Sequence, residues 1–415
     1  VSGGGVLSEV KVADFSWIGV GPITSLWLSW HGATTVRLES TSRVDGIRFV
    51  HPFKDGVPGV NRGAYYACYN VNKLGMTCNL NTERGREVAR RLIEWADVVV
   101  ENFTPKAMRG WGLDYASIIE FKPDVIMLSA SLQGQDGPEA MRPGFGNMLQ
   151  GMAGFNDMIG WPDRGPSSVS TTYTDWLVPY FGAAALTSAL IHKQRTGEGQ
   201  YIDLSQFESA IQFLGAEVLD GSVNGHVEGQ VGNDLTAGGV RYVAPHGVYP
   251  CSSADGEQFV ALAAFDDEQW SGIVELADRP VFKDERFATN AGRCEHAPEI
   301  DSLLESWTRT RPVGALVEDL VARGVPAAVV QTPADLDGDP QLAHRGHFVP
   351  VPHTEIGEIV VDMPGARLSD TPAAPYKAGP CLGEDNEYVY QKLLGYSEEE
   401  YYELLALGVV ELWEH

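Results

Sequence analysis

Between residues 10 and 39 the chain reads VKVADF, then GPITSLWLSWHG, then ATTVRLE: a strand-like segment, a helical one and a second strand. Pro22 suits a first helical position and Gly32 a helix end. A strand, a helix and a strand within about 30 residues form a crossover unit, which joins parallel strands in a right-handed sense. Parallel sheets need helices on their faces, so the following chain must keep alternating helix with strand.

It does. NTERGREVARRLIEWAD places Val88, Leu92 and Trp95 on one helical face with Ala89 and Ile93 beside them, and VVVEN at 98–102 and DVIMLSAS at 124–131 follow as strands. Beyond Asp175 an Ala-rich segment has Pro179 early and Gly197 and Gly199 at its end, which predicts a helix over 178–195 with Asp175 in the turn before it. QYIDLS is the next strand, and Ser205 with Glu208 makes a capping box for another helix. The predicted fold class is α/β, a doubly wound parallel sheet.

This large domain is expected over 1–220, completed by 345–415, where Ser397 and Glu400 form a second capping box before YYELLALG. From 221 to 247 the chain turns to Gly, Asn and His with little periodicity, the pattern of a linker or lid. EQFVALAA, IDSLLESWTRT, VGALVEDLVARG and PAAVVQ predict a smaller α/β domain over 248–335, with a return linker over 336–375. No internal repeat or low-complexity tract interrupts this plan.

Charge narrows the function classes. Asp and Glu outnumber Lys and Arg by 56 to 30, a net charge of -26, with no basic patch in the sequence to attract nucleic acid or an anionic membrane. An anionic substrate would therefore need particular Arg, Lys or backbone amides. The five cysteines are odd in number and scattered, which fits a reducing cytoplasm rather than a disulfide framework. No apolar run reaches the ~20 residues of a membrane span. The opening VSGGG has no features of a signal peptide and is set aside as flexible.

Familiar chemical motifs are missing. GVGP at 19–22 lacks the third glycine of a dinucleotide fingerprint, and no Walker A sequence or GxSxG elbow occurs. His344 and His347 in HRGH read as a surface turn, and no metal triad is evident. Asp175 alone reads as a helix cap.

Eight segments in order change that reading: DFSWIGVGP at 14–22, NVNKLGMTCNLNTERG at 70–85, ADVVVENFTPKAMRGWGLDY at 96–115, SLQGQDGP at 131–138, Asp175 itself, HKQRTGEGQYIDLS at 192–205, APHGVYP at 244–250 and PCLGEDNEYVYQKLLGYS at 380–397. Together they resemble the family III CoA-transferases, the formyl-CoA transferase and carnitine CoA-transferase-like group, through almost the whole chain. The resemblance implies an acyl-CoA:carboxylate CoA-transferase in which Asp175 is the nucleophile, passing through an aspartyl anhydride and an aspartyl-CoA thioester. CoA enters as a substrate, with no tightly bound cofactor and no metal. By the same resemblance Gly19, Val20, Lys73, Leu80, Asn81, Asn102, Phe103 and Arg109 line the CoA site. Tyr173, Trp176, Tyr180 and a Gly-rich lid would keep water from the intermediates. The expected assembly is an interlocked homodimer, or a heteromer with a related subunit.

Two departures bear on substrate. Formyl-CoA transferases carry Gln where this chain has Gly19, and their glycine run is here only TAGG at 236–239. A smaller residue at 19 favours a bulkier acceptor than formate or oxalate, such as an aromatic acid or a substituted succinate, with succinyl-CoA a candidate donor. The racemase branch of the family has GHD where this chain has GFG at 144–146, and Phe145 cannot exchange a proton.

Overall fold

The computed structural model describes residues 4–169, 171–253 and 256–413, so the first three residues of VSGGG lie outside it. Six strands form the main sheet: β1 Lys11–Asp14, β2 Thr34–Glu39, β3 Leu74–Thr77, β4 Val98–Glu101, β5 Ile126–Ser131 and β6 Gln200–Ser205. Their order is β3-β2-β1-β4-β5-β6 and every pairing is parallel. The winding reverses between β1 and β4, which opens a crevice at the carboxyl ends of the strands.

Neighbouring residues on a strand point to opposite faces, and two cores result. Ala13, Val36, Leu38, Val99 and Met127 pack with Val88, Leu92 and Ile93 of the helix Glu83–Trp95, and with Val389, Tyr390 and Leu404 from the C-terminal segment. Val12, Val98, Val100, Ile126 and Leu128 face the other way, onto Val20 and Leu28 of the helix Val20–Trp30 and Val178, Leu186 and Ala189 of the helix Tyr173–Thr196. Each such aliphatic side chain contributes about 1.5–3 kcal/mol on burial, so both helix layers are held by apolar packing.

The helix Tyr173–Thr196 begins five residues before the expected start and runs through Pro179. Pro179 has no N–H to give the Asp175 carbonyl, so the ladder lacks one bond there. The first turn is anchored by other bonds: the Asp175 N–H donates to the Thr172 carbonyl at 2.9 Å, and the Thr174 hydroxyl to the Gly146 carbonyl at 3.3 Å. Asp175 is therefore inside the first turn and not in the turn before it.

The chain divides into two compact units, one of Val1–Ala153, Ser170–Phe213 and Pro340–His415, the other of Gly154–Val169 and Leu214–Asp339. The second unit thus takes in an excursion at 154–169 and the whole of the expected linker over 221–247. That linker is partly ordered: the helix Gly215–Asn224 opens it, and β7 Leu235–Ala237 pairs with β8 Val240–Val243. Gly238 and Gly239 between them have φ of 57° and 74°, as a tight hairpin turn requires. β9 His246–Cys251, β10 Gln258–Ala263 and β11 Ala327–Val329 form an antiparallel sheet covered by Trp270, Ile273, Ile300, Leu304, Leu316 and Leu320.

The expected return linker also contains structure. β12 Phe348–His353 and β13 Gly357–Asp362 pair as an antiparallel ribbon in the first unit, where Val351 and Val361 bury against Leu26 and Trp30. Pro350 and Pro352 tend to mask this strand in the sequence, but a two-stranded ribbon tolerates prolines on its unpaired side.

Candidate active site

Five loops leave the carboxyl ends of β1, β2, β3, β4 and β5 and, with the start of the helix Tyr173–Thr196, enclose a cavity of about 500 Å³. Gly19 and Val20 come from the first loop, Arg43 from the second, Leu80 and Asn81 from the third, Asn102 and Phe103 from the fourth, and Arg142 and Phe145 from the fifth. Asp175 reaches the same cavity.

The Asp175 side chain is held by small neighbours. Its carboxylate accepts hydrogen bonds from the Thr172 side chain and the Gly146 N–H. A Cβ at Gly146 would stand 2.7 Å from Asp175 Cγ, and one at Gly19 would stand 3.1 Å from its Cβ. Burial leaves the residue 8% exposed and pushes its acid up to about 6, against the pull of those two hydrogen bonds. No ion pair to Asp175 occurs among the described residues. At neutral pH it is a desolvated carboxylate without a neutralising cation, with its nucleophilicity little damped by water.

Of the eight other residues that the resemblance assigns to the CoA site, Gly19, Val20, Leu80, Asn81, Asn102 and Phe103 line the cavity, and Lys73 does not. Lys73 is fully buried, its ammonium bonded to Asp14 at 2.8 Å, to the Pro22 carbonyl at 2.8 Å and to Asn70 at 2.9 Å. Burial lowers it to about 8, partly offset by Asp14. It neutralises the core and has no path to a ligand phosphate. Arg109, the eighth, is exposed on the helix Lys106–Trp111. Ala107 and Trp111 of that helix line the cavity, and a residue two positions from each lies on the opposite face.

Two cations that sequence reasoning missed line the cavity instead. Arg43 sits over the Trp17 ring at 5.2 Å, and Arg142 pairs with Glu139 at 2.8 Å. Position after β2 and β5 was the available signal, because ligands of such sheets lie at strand carboxyl ends. The aromatic lining also differs from expectation. Trp17, Phe103 and Trp111 form an edge-to-face series at 5.6 and 5.7 Å, whereas Trp176 packs on Tyr65 and Tyr69 and Tyr180 packs on Trp27. Tyr173, Trp176 and Tyr180 are absent from the cavity lining.

Beneath the loops lies a buried charged cluster. Arg48 pairs with Glu39 at 2.7 Å and stacks 3.5 Å over the Tyr66 ring, and Tyr66 donates to Glu39 at 2.8 Å. Burial alone would raise the Asp14 acid, but Lys73 and Arg37 outweigh it and hold it at about 2. Glu101, at the end of β4, has no such cation among the described residues: burial pushes it up to about 7 while it accepts the Phe103 N–H at 2.8 Å. Among the described residues no group of three or more His, Cys, Asp or Glu could hold a metal, and no helix is long and apolar enough to cross a membrane.

The family model for CoA-transferase family III matches residues 7–386. The chain is 30% identical over 407 residues, 97% of its length and 98% of the relative's, to a succinyl-CoA–D-citramalate CoA-transferase of Chloroflexus aurantiacus. It is 31% identical over 394 residues, 93% of its length and 95% of the relative's, to a succinate–glutarate CoA-transferase of Agrobacterium fabrum. The crystal structure of a CAIB/BAIF family protein from Brucella suis superposes with a TM-score of 0.84 at 31% identity, covering 94% of this chain and all of that one. With its six-stranded parallel sheet and this match along nearly its full length, the chain belongs to CoA-transferase family III and is a CoA-transferase.

Proposed function

We propose that this enzyme moves CoA from a donor thioester, succinyl-CoA in the first instance, to an acceptor dicarboxylic acid, with Asp175 as the nucleophile. The observation that carries the reading is the Asp175 carboxylate, desolvated, free of any cation among the described residues, and facing a cavity through two glycines.

The steps balance without water, metal or ATP. The Asp175 carboxylate attacks the thioester carbonyl, the C–S bond breaks and CoA thiolate leaves, giving a mixed anhydride. The thiolate then attacks the aspartyl carbonyl, releasing the donor acid and leaving aspartyl-CoA thioester. An acceptor carboxylate attacks that thioester and forms a second anhydride, and the returning thiolate cleaves it at the acceptor carbonyl. A new acyl-CoA leaves and the Asp175 carboxylate is restored. Thioester exchanges for thioester, so the overall change is close to thermoneutral.

The cavity supports both ends of this chemistry. Trp17, Phe103 and Trp111 offer an apolar wall for the pantetheine arm, and Arg43 on the Trp17 ring offers a cation to a phosphate in an otherwise acidic protein. Gly19, Leu80, Asn81, Asn102 and Phe103 would follow the same ligand. The dicarboxylic acceptor rests on the two relatives named for citramalate and glutarate, and on Arg142 as a partner for a distal carboxylate. The assembly is proposed to be a dimer of this chain or a pairing with a related subunit; light scattering of the pure chain gives a dimer in the first case and a monomer in the second.

Incubation with succinyl-CoA alone tests the mechanism. A covalent adduct on the peptide containing Asp175, cleaved by hydroxylamine, is expected by mass spectrometry. Transfer without any adduct at this peptide would overturn it.

A further inference from the structure

Backbone conformation and residue type are mismatched at positions 18 and 19. Ile18 has φ 62°, the left-handed region in which a β-branched side chain crowds its own backbone. Gly19, which would accept such a φ without steric cost, has φ -113°. A glycine at 18 would take that φ without strain, so something other than the backbone fixes which residue stands where. At position 19 it is space, because a Cβ there would stand 3.1 Å from Asp175 Cβ and 3.4 Å from its Cγ. At position 18 it is the wall, because half-buried Ile18 lines the cavity beside the bare glycine.

The loop is held from both sides. The Ile18 N–H donates to both carboxylate oxygens of Asp45 at 3.1 Å. Asp45 is fully buried, paired with Arg37, and also accepts the Ile47 N–H at 3.1 Å. On the other side Asn102 accepts the Trp17 N–H at 2.7 Å and donates to the Trp17 carbonyl at 2.7 Å. A strained conformation persists only where its surroundings over-determine it, and these contacts do so here.

We propose that Asp45 is a positioning residue for the transfer and that Ile18 selects the acceptor acid. Asp45 holds Ile18 left-handed, so that bare Gly19 lets the loop backbone lie against Asp175 and the Ile18 side chain, lining the cavity, closes it to a large substituent on the acceptor. The inference rests on Asp175 being the nucleophile.

Acceptor profiles of the full-length enzyme test the wall. With succinyl-CoA as donor, Ile18→Ala should raise kcat/KM for phenylsuccinate relative to methylsuccinate about tenfold, the scale of a change of a few methylenes in an apolar pocket. A rescue tests the positioning. Asp45→Ala should lower kcat about tenfold or more with donor KM little changed, since a small displacement beside the nucleophile is costly. Adding Ile18→Gly should restore most of that kcat, because glycine takes the positive φ unaided, while the selectivity against phenylsuccinate is lost. A rescue is not what a merely structural role predicts. An unmoved acceptor ratio in Ile18→Ala, or a double variant no faster than Asp45→Ala, overturns the inference. Should Asp45→Ala not fold, the Ile18→Ala ratio decides alone. If the unsubstituted protein transfers CoA and the ratio does not move, only this inference falls; if it transfers none, the reading of Asp175 falls with it.

Discussion

Gly146 lies so close to Asp175 that a Cβ on it would sit 2.7 Å from both Cγ and Oδ2, and its N–H donates to the same carboxylate. The pair defines which atom pays for any added bulk. The Asp175 carboxyl is the free end of a side chain and Gly146 is backbone, so the carboxyl moves first. Gly146→Ala should lower transfer about a hundredfold through misplacement. Stability should change little, because alanine suits this first helical position better than glycine. Steady-state kinetics beside a thermal melt check both halves; near-normal kcat would show that the carboxyl is not held where the chemistry needs it.

Asp175→Asn separates nucleophile from helix-start residue. An amide keeps much of the hydrogen bonding of the first turn but cannot form an anhydride, so transfer and the covalent adduct should both vanish while the fold survives. Loss of a capping interaction costs only about 0.5–2 kcal/mol, which urea denaturation resolves. Substantial transfer by the Asn variant would refute the nucleophile.

The acid limb of the reaction should report Asp175. Its folded acid titrates at about 6, so adduct formation from succinyl-CoA should be full above that pH and fall as pH drops through it. Rapid-quench measurement of the adduct from about pH 5 to pH 8 checks this. An acid limb near the ordinary carboxylate value of 3.8 would show that burial does not tune this group.

Glu101 gives a prediction about stability instead. Its acid stands at about 7 in the folded chain against 4.5 ordinarily. The folded state therefore keeps a proton that the unfolded chain releases between those values, and this contribution to stability is complete below 4.5 and is lost as pH rises through 7. Glu101→Gln retains an acceptor for the Phe103 N–H and should remove that part of the pH dependence, on the order of 3 kcal/mol. Urea midpoints at about pH 5 and pH 8 should converge in the variant relative to the parent.

Lys73 and Arg43 should fail in different ways. Lys73→Met leaves Asp14 short of a buried partner and should cost about 3–5 kcal/mol of stability, with donor KM unchanged in whatever folds. Arg43→Ala should leave the melt unchanged and raise donor KM about tenfold at constant kcat, the signature of lost uniform binding. Calorimetry with CoA alone distinguishes them independently of turnover.

Five of the six strands of the sheet were legible in the sequence because alternation and helical periodicity are local; β3, only Leu74–Thr77 with a glycine inside it, was not. VKVADF, ATTVRLE, VVVEN, DVIMLSAS and QYIDLS all became parallel strands; the capping box formed in full at Ser397 and Glu400, whereas at Ser205 only the bond from the Glu208 N–H to the serine hydroxyl is present. The family resemblance named Asp175 and Gly19, and the structure brings both to one cavity, because motif residues sit at fixed places after strands. What periodicity did not reveal was decided by contacts distant in sequence. Lys73 looks like an anion binder until Asp14, 59 residues away, is seen to claim it. Arg109 looks equally suitable until the helix turns it away from Ala107 and Trp111, while Arg43, unremarked in the sequence, faces the cavity. The helix at Asp175 starts before its proline because Gly146, 28 residues earlier, supplies an acceptor to Thr174. A sequence records which groups can ionise; only the tertiary fold, by burying some and pairing them, decides which remain free to act.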